Sequence, residues 1–124
     1  MNNIVLSIGS NTDDKDQKMK LCIEWLETHL FYSTVSKIYC TKATNGKDPD
    51  YLNAVLSGNS NLEFEEYNQT LKKYEAQQGR TPDCKITGKV PIDIDIVTWN
   101  NDIIRKWDFR QPYFQIGWNE INKS

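Results

Sequence analysis

A chain of 124 residues with 38% hydrophobic content is the size of one domain, long enough to bury a core without staples. Its 15 Lys and Arg are interspersed among 17 Asp and Glu for a net charge of −2, without the basic block that a general nucleic-acid binder needs. The three cysteines, Cys22, Cys40 and Cys84, form no CxxC pair of a zinc or dithiol site and fit a reduced, cytoplasmic protein. The opening Met1 to Ile8 has neither the basic flank of a signal sequence nor the length of a membrane span.

Asn3 to Ile8 is an aliphatic run ending at the turn signal Gly9-Ser10-Asn11, and reads as a first strand. From about Asp13 to Leu30, the residues Met19, Cys22, Leu26 and Leu30 recur every three or four positions, with Asp13, Asp14 and Asp16 in the first turn, which predicts a helix. Ser33 to Cys40 and Tyr51 to Gly58 read as two strands joined by a long loop through Thr44 to Asp50. Phe64, Tyr67, Leu71 and Tyr74 or Glu75 repeat at helical spacing, so a second helix is expected from about Glu63 to Gln78, closed by Gly79. Arg80 to Lys89, with Pro82 and Gly88, is a loop; Val90 to Val97 is a strand, and Asp102 to Ile104 a short return strand after the turn Asn100-Asn101. The order is βαββαβ: an α+β, ferredoxin-like domain over 1–124, with two helices on one face of an antiparallel sheet.

The strand Val90-Pro91-Ile92-Asp93-Ile94-Asp95-Ile96-Val97 carries the chemistry. Alternation sends Ile92, Ile94 and Ile96 into the core and leaves Asp93 and Asp95 on the other, open face. At a rise of about 3.3 Å per residue the two carboxylates leave the backbone about 6.6 Å apart, within reach of one metal ion or a close pair. The competing reading is a half-buried strand whose polar face is simply wet, against which stands the depletion of aspartate in strands.

Four stretches in order, Ile8-Gly9-Ser10-Asn11, Pro49-Asp50-Tyr51-Leu52-Asn53-Ala54-Val55, Glu75-Ala76-Gln77-Gln78-Gly79-Arg80 and Ile92-Asp93-Ile94-Asp95-Ile96, resemble the 6-hydroxymethyl-7,8-dihydropterin pyrophosphokinases of folate biosynthesis over roughly residues 4 to 105. The resemblance implies a Mg²⁺-dependent enzyme that transfers the terminal pyrophosphoryl group of ATP to the pterin hydroxymethyl oxygen, leaving AMP. It implies that Asp93 and Asp95 hold two Mg²⁺ ions against the triphosphate, in keeping with the preference of this hard cation for oxygen ligands. It places Tyr51, Asn53 and Thr41 in the pterin pocket and Arg80 on a mobile loop over the phosphates. Glu75 matches an acidic position near the nucleotide, its alternative being an exposed helix residue, and Lys85, Lys89, Arg105 and Arg110 are the further cations expected toward the nucleotide.

The chain also departs from that pattern. The family's Pro-Arg-Thr before the Asp pair is here Lys89-Val90-Pro91, so a phosphate-binding arginine is replaced by valine, with Lys85 or Lys89 as candidate point charges. A lid aromatic aligns with Thr87, a second basic residue with Pro82, and the family's Pro-His with Pro112-Tyr113. The tail, 106–124, is divergent and shorter than the family's. Its cluster Trp107, Phe109, Tyr113, Phe114 and Trp118 is expected to rebuild a pocket wall, pin the tail to the domain, or meet a second subunit. The alternative to an active enzyme is a lapsed relative that keeps nucleotide or pterin binding only. A single-stranded RNA module is disfavoured by the acidic balance, and no membrane partner is expected.

Overall fold

The computed structural model describes residues 1–122. The chain runs β1 (Asn2–Ser10), α1 (Lys15–His29), β2 (Phe31–Val35), β3 (Tyr39–Thr41), β4 (Tyr51–Ser60), α2 (Phe64–Gln77), α3 (Cys84–Thr87), β5 (Asp93–Trp99), β6 (Asp102–Ile103), α4 (Lys106–Phe109) and α5 (Pro112–Ile121). One antiparallel sheet holds all six strands in the order β2-β4-β1-β5-β6, with β3 also on β4. The α+β, ferredoxin-like architecture expected from the sequence is the one observed.

Period-two alternation decides which side chains go where. Ile4, Leu6 and Ile8 of β1, Ala54 and Leu56 of β4, and Ile94 and Ile96 of β5 face Met19, Cys22 and Leu26 of α1 and Tyr67, Leu71 and Tyr74 of α2. Each fully buried aliphatic side chain there stabilises the fold by about 1.5–3 kcal/mol relative to exposure. Two helices thus cover one face, as predicted.

The expected strand from Ser33 to Cys40 divides into β2 and β3. Ser36 sits at the break: its backbone N–H donates to the Val55 carbonyl at 2.9 Å, and its hydroxyl accepts the Val55 N–H at 2.9 Å. The loop from Arg80 to Lys89 contains one helical turn, α3, closed by Gly88 at φ 70°. The Asp strand begins its pairing at Asp93, not at Val90.

The other sheet face is not left open along its whole length, which corrects the expectation. Val5, Val55 and Val97 are sealed by Phe114 of α5, with Phe109, Tyr113, Trp118 and Ile121 around it. The tail can lie this close because Gly117 has no side chain: a Cβ there would meet Val55 Cγ2 at 2.6 Å and the Tyr39 hydroxyl at 2.9 Å. The Gly117 N–H instead donates to that hydroxyl at 3.1 Å. Part of the aromatic cluster therefore pins the tail to the sheet; residues 123 and 124 of the tail lie outside the described residues. No helix among the described residues is long and apolar enough to cross a membrane.

Candidate active site

Register places the site on this second face, at the end that α5 leaves uncovered. Gly9 is paired with Asn53 on one side and Asp93 on the other, so Asn53, Gly9 and Asp93 form one row across the three central strands. Val55, Ser7 and Asp95 form the next row, toward the Val5, Val55 and Val97 patch. Gly9 keeps the first row shallow, since a Cβ there would stand 3.3 Å from Asn53 Oδ1 and 3.4 Å from the Tyr51 ring.

Above these rows lies a cavity of about 150 Å³ whose lining includes Ser7, Gly9, Tyr51, Asn53 and Asp93 from the long strands, Thr41 from β3, and Trp107 and Tyr113 from the tail. A volume of that size accepts one small ring system. Asn53 is buried and donates through Nδ2 to Thr41 Oγ1 at 2.6 Å, which fixes the amide and leaves its carbonyl oxygen beside Gly9. Pro112 opens α5, so Tyr113 turns into the cavity while Phe114 turns into the sheet. The Tyr113 hydroxyl donates to Asp108. Burial, and then Asp108, hold this phenol above its ordinary pKa.

A second cavity, about 450 Å³, adjoins it through Tyr51 and is lined by Asp48, Arg80, Thr81, Pro82, Cys84, Lys85, Gly88 and Val90. Asn11 holds its floor together. Its buried side chain donates to the Gly88 carbonyl at 2.7 Å and the Pro49 carbonyl at 3.2 Å, and accepts the Val90 N–H. The loop before β5 and the loop before β4 are thereby tied to the turn after β1.

Asp93 lines the first cavity and Asp95 stands in the next row beside it, the pair ringed by cations. Arg80 Nη1 lies 2.6 Å from Asp93 Oδ1 and 3.2 Å from Glu75 Oε2. Lys72 Nζ lies 3.5 Å from Asp95 Oδ1, and Arg105 Nη1 lies 3.9 Å from it while Arg105 Nε bonds Asp108 at 2.8 Å. Burial, and then the charge of Asp93, push the Asp95 carboxyl up to about 7 against the pull of Lys72 and Arg105. A carboxylate so penalised beside another is a place where a further positive charge is favoured.

Glu75 is 3% exposed, which removes the exposed-helix reading. Its Oε2 accepts the Ile94 N–H at 2.7 Å, and Lys72 Nζ donates to the Ile94 carbonyl at 3.0 Å. The pair completes the backbone of β5 along the edge where β6 does not reach. Burial raises the Glu75 pKa, opposed by the Ile94 N–H and then by Lys72 and Arg80.

Of the residues singled out in the sequence, Asp93, Asp95, Arg80, Glu75 and Arg105 converge in one charged cluster, and Thr41, Tyr51 and Asn53 line the adjoining cavity. Lys85 lines the second cavity. Lys89 and Arg110 are exposed, line neither cavity, and form no ion pair among the described residues. Lys72 escaped the sequence reading; its one signal is the i,i+3 spacing to Glu75, which does not say that α2 turns this face toward β5. Ser7 and Gly9 were findable, being the small residues that alternate with the apolar positions of β1.

Among the described residues no three His, Cys, Asp or Glu side chains are grouped to hold a metal ion by themselves. Two convergent carboxylates fit a cation that takes its remaining ligands from water and phosphate, as Mg²⁺ does at nucleotide sites. A small-ring cavity walled by Asp93, an adjoining cavity that contains Arg80 and Lys85, and a carboxylate pair ringed by cations make an arrangement suited to phosphoryl-transfer chemistry. The chain belongs to the 7,8-dihydro-6-hydroxymethylpterin-pyrophosphokinase (HPPK) family, whose model matches residues 5–123. It is similar to the 2-amino-4-hydroxy-6-hydroxymethyldihydropteridine pyrophosphokinase of Aquifex aeolicus, at 32% identity over 91% of this chain and 71% of the relative. The proteins of the same name from Haemophilus influenzae and Porphyromonas gingivalis are 27% and 33% identical, covering 90% and 76% of this chain and 71% and 67% of theirs.

Proposed function

We infer that the chain is a 2-amino-4-hydroxy-6-hydroxymethyldihydropteridine pyrophosphokinase, which transfers the terminal pyrophosphoryl group of ATP to 6-hydroxymethyl-7,8-dihydropterin in folate biosynthesis. The observation that carries this reading is the row Asn53, Gly9, Asp93, which sets a ring-sized cavity directly against the first carboxylate of the pair. The pterin lies in that cavity, its amide edge on Asn53 and Thr41 and its rings between Tyr51, Trp107 and Tyr113. Its hydroxymethyl group then points toward Asp93.

Asp93 and Asp95 would hold two Mg²⁺ ions with the triphosphate, and Arg80 and Arg105 would turn toward phosphate oxygens. When bound there, Mg²⁺ would supply charge neutralisation for the polyphosphate. The hydroxymethyl oxygen forms a bond to the β-phosphorus as the bond to the α-phosphate oxygen breaks; AMP departs and the hydroxyl proton passes to water. Positioning and charge stabilisation suffice for such a transfer, without a covalent nucleophile on the protein. Binding without turnover, the alternative raised by Val90, is disfavoured because three other cations already face the two carboxylates.

Incubation with Mg-ATP and 6-hydroxymethyl-7,8-dihydropterin should release AMP and the pterin diphosphate in equal amounts. An Asp93→Ala, Asp95→Ala double variant should lose at least about 10³-fold in rate, the scale of removing charge stabilisation from phosphoryl transfer. A wild-type rate no higher than that of the double variant would refute the assignment.

A further inference from the structure

We propose that Lys72 is a nucleotide-binding cation that trades Asp95 for a phosphate oxygen as metal and polyphosphate arrive together. The inference rests on the reading of Asp93 and Asp95 as a metal site and assigns a role to a side chain on α2 that the motifs do not include. Lys72 Nζ has three protons and three acceptors: the Ile94 carbonyl at 3.0 Å, Glu75 Oε2 at 3.2 Å and Asp95 Oδ1 at 3.5 Å. The first two fix the ammonium at the edge of β5. The third is the longest and the one a metal ion competes for.

The position matters because the strand entering the site lacks its own cation. Val90 offers no donor, and Lys85 and Lys89 form no ion pair with either aspartate among the described residues. Lys72 is also within reach of incoming anions, its side chain being 44% exposed while that of Asp95 is 16% exposed. In the metal-free chain its charge is shared between Glu75 and Asp95. A divalent ion bound at Asp95 would bring like charge next to the ammonium, so the Lys72 N–H that had been directed at Asp95 is free for the nearest new anion, a phosphate oxygen. Lys72 thereby opposes metal alone and favours metal with nucleotide.

That opposition gives a test in which two affinities move in opposite directions. The full chain, Lys72→Met and Lys72→Arg are titrated with Mn²⁺ alone, read by the loss of free-ion electron paramagnetic resonance signal, and with Mg·α,β-methylene-ATP by calorimetry. Lys72→Met should bind Mn²⁺ alone about threefold to tenfold more tightly and the nucleotide about tenfold more weakly, with Lys72→Arg restoring nucleotide binding to within about threefold. If Lys72 only completes the β5 edge, both affinities fall together or neither moves, and the proposal is overturned while the metal site stands. A wild-type chain that binds neither Mn²⁺ nor the nucleotide overturns both the proposal and the reading beneath it. Should Lys72→Met fail to fold, Lys72→Gln keeps a donor for the Ile94 carbonyl and is read by the same two affinities.

Discussion

Asp95 lies between Lys72 and Arg105, yet its carboxyl is held up to about 7 because burial and Asp93 outweigh both cations. In the unfolded chain the same group ionises near 3.8. Between these values a rise in pH deprotonates the unfolded chain first, so the metal-free fold is favoured below the lower value and loses stability as pH rises through about 7. Thermal unfolding in the presence of a chelator should show Tm falling from about pH 4 to about pH 7, with the fall reduced in Asp95→Asn. A Tm that climbs over that window, or an Asp95→Asn profile identical to wild type, would contradict the assignment of this strain to Asp95. The two aspartates were visible in the sequence because alternation is a local property of a strand. Lys72 was not, because its meeting with Asp95 depends on which side of α2 faces β5.

At the scale of elements, the first cavity stands on β1, β3, β4 and β5, whereas the second is built largely from the loops before β4 and β5. Asn11 joins them: loss of its side chain leaves the Val90 N–H and the Gly88 and Pro49 carbonyls without their partner. Asn11→Ala should therefore cost about 1–3 kcal/mol of unfolding free energy, read by denaturant titration. It should also raise the apparent KM for ATP, since Gly88 and Val90 border the cavity that contains Arg80. A variant as stable as wild type with an unchanged KM would remove Asn11 from this role. The helices α1 and α2 and the central strands were legible from periodicity. The break between β2 and β3 was not, as it depends on the Ser36 hydroxyl meeting Val55 across the sheet. The seat of α5 was hidden for a similar reason, resting on the fit of Gly117 to Val55 and Tyr39.

Across the whole molecule, one face of the sheet supplies stability and the other supplies the site. The aliphatic face of β1, β4 and β5 buries against α1 and α2, while the opposite face is divided between the seat of α5 and the carboxylate pair. The aromatic tail serves both purposes: Phe114 closes the second core, and Trp107 and Tyr113 wall the ring cavity. Tyr51 borders both cavities; with pterin and nucleotide bound as proposed, each is expected to increase the affinity for the other by the same factor. The most direct test is a crystal structure of the chain with Mg²⁺, α,β-methylene-ATP and 6-hydroxymethylpterin. It should place the metal ions on Asp93 and Asp95, the polyphosphate against Arg80, and the pterin between Asn53 and Trp107. A polyphosphate bound elsewhere, with Asp93 still paired to Arg80 and Asp95 still facing Lys72 and Arg105, would contradict the account.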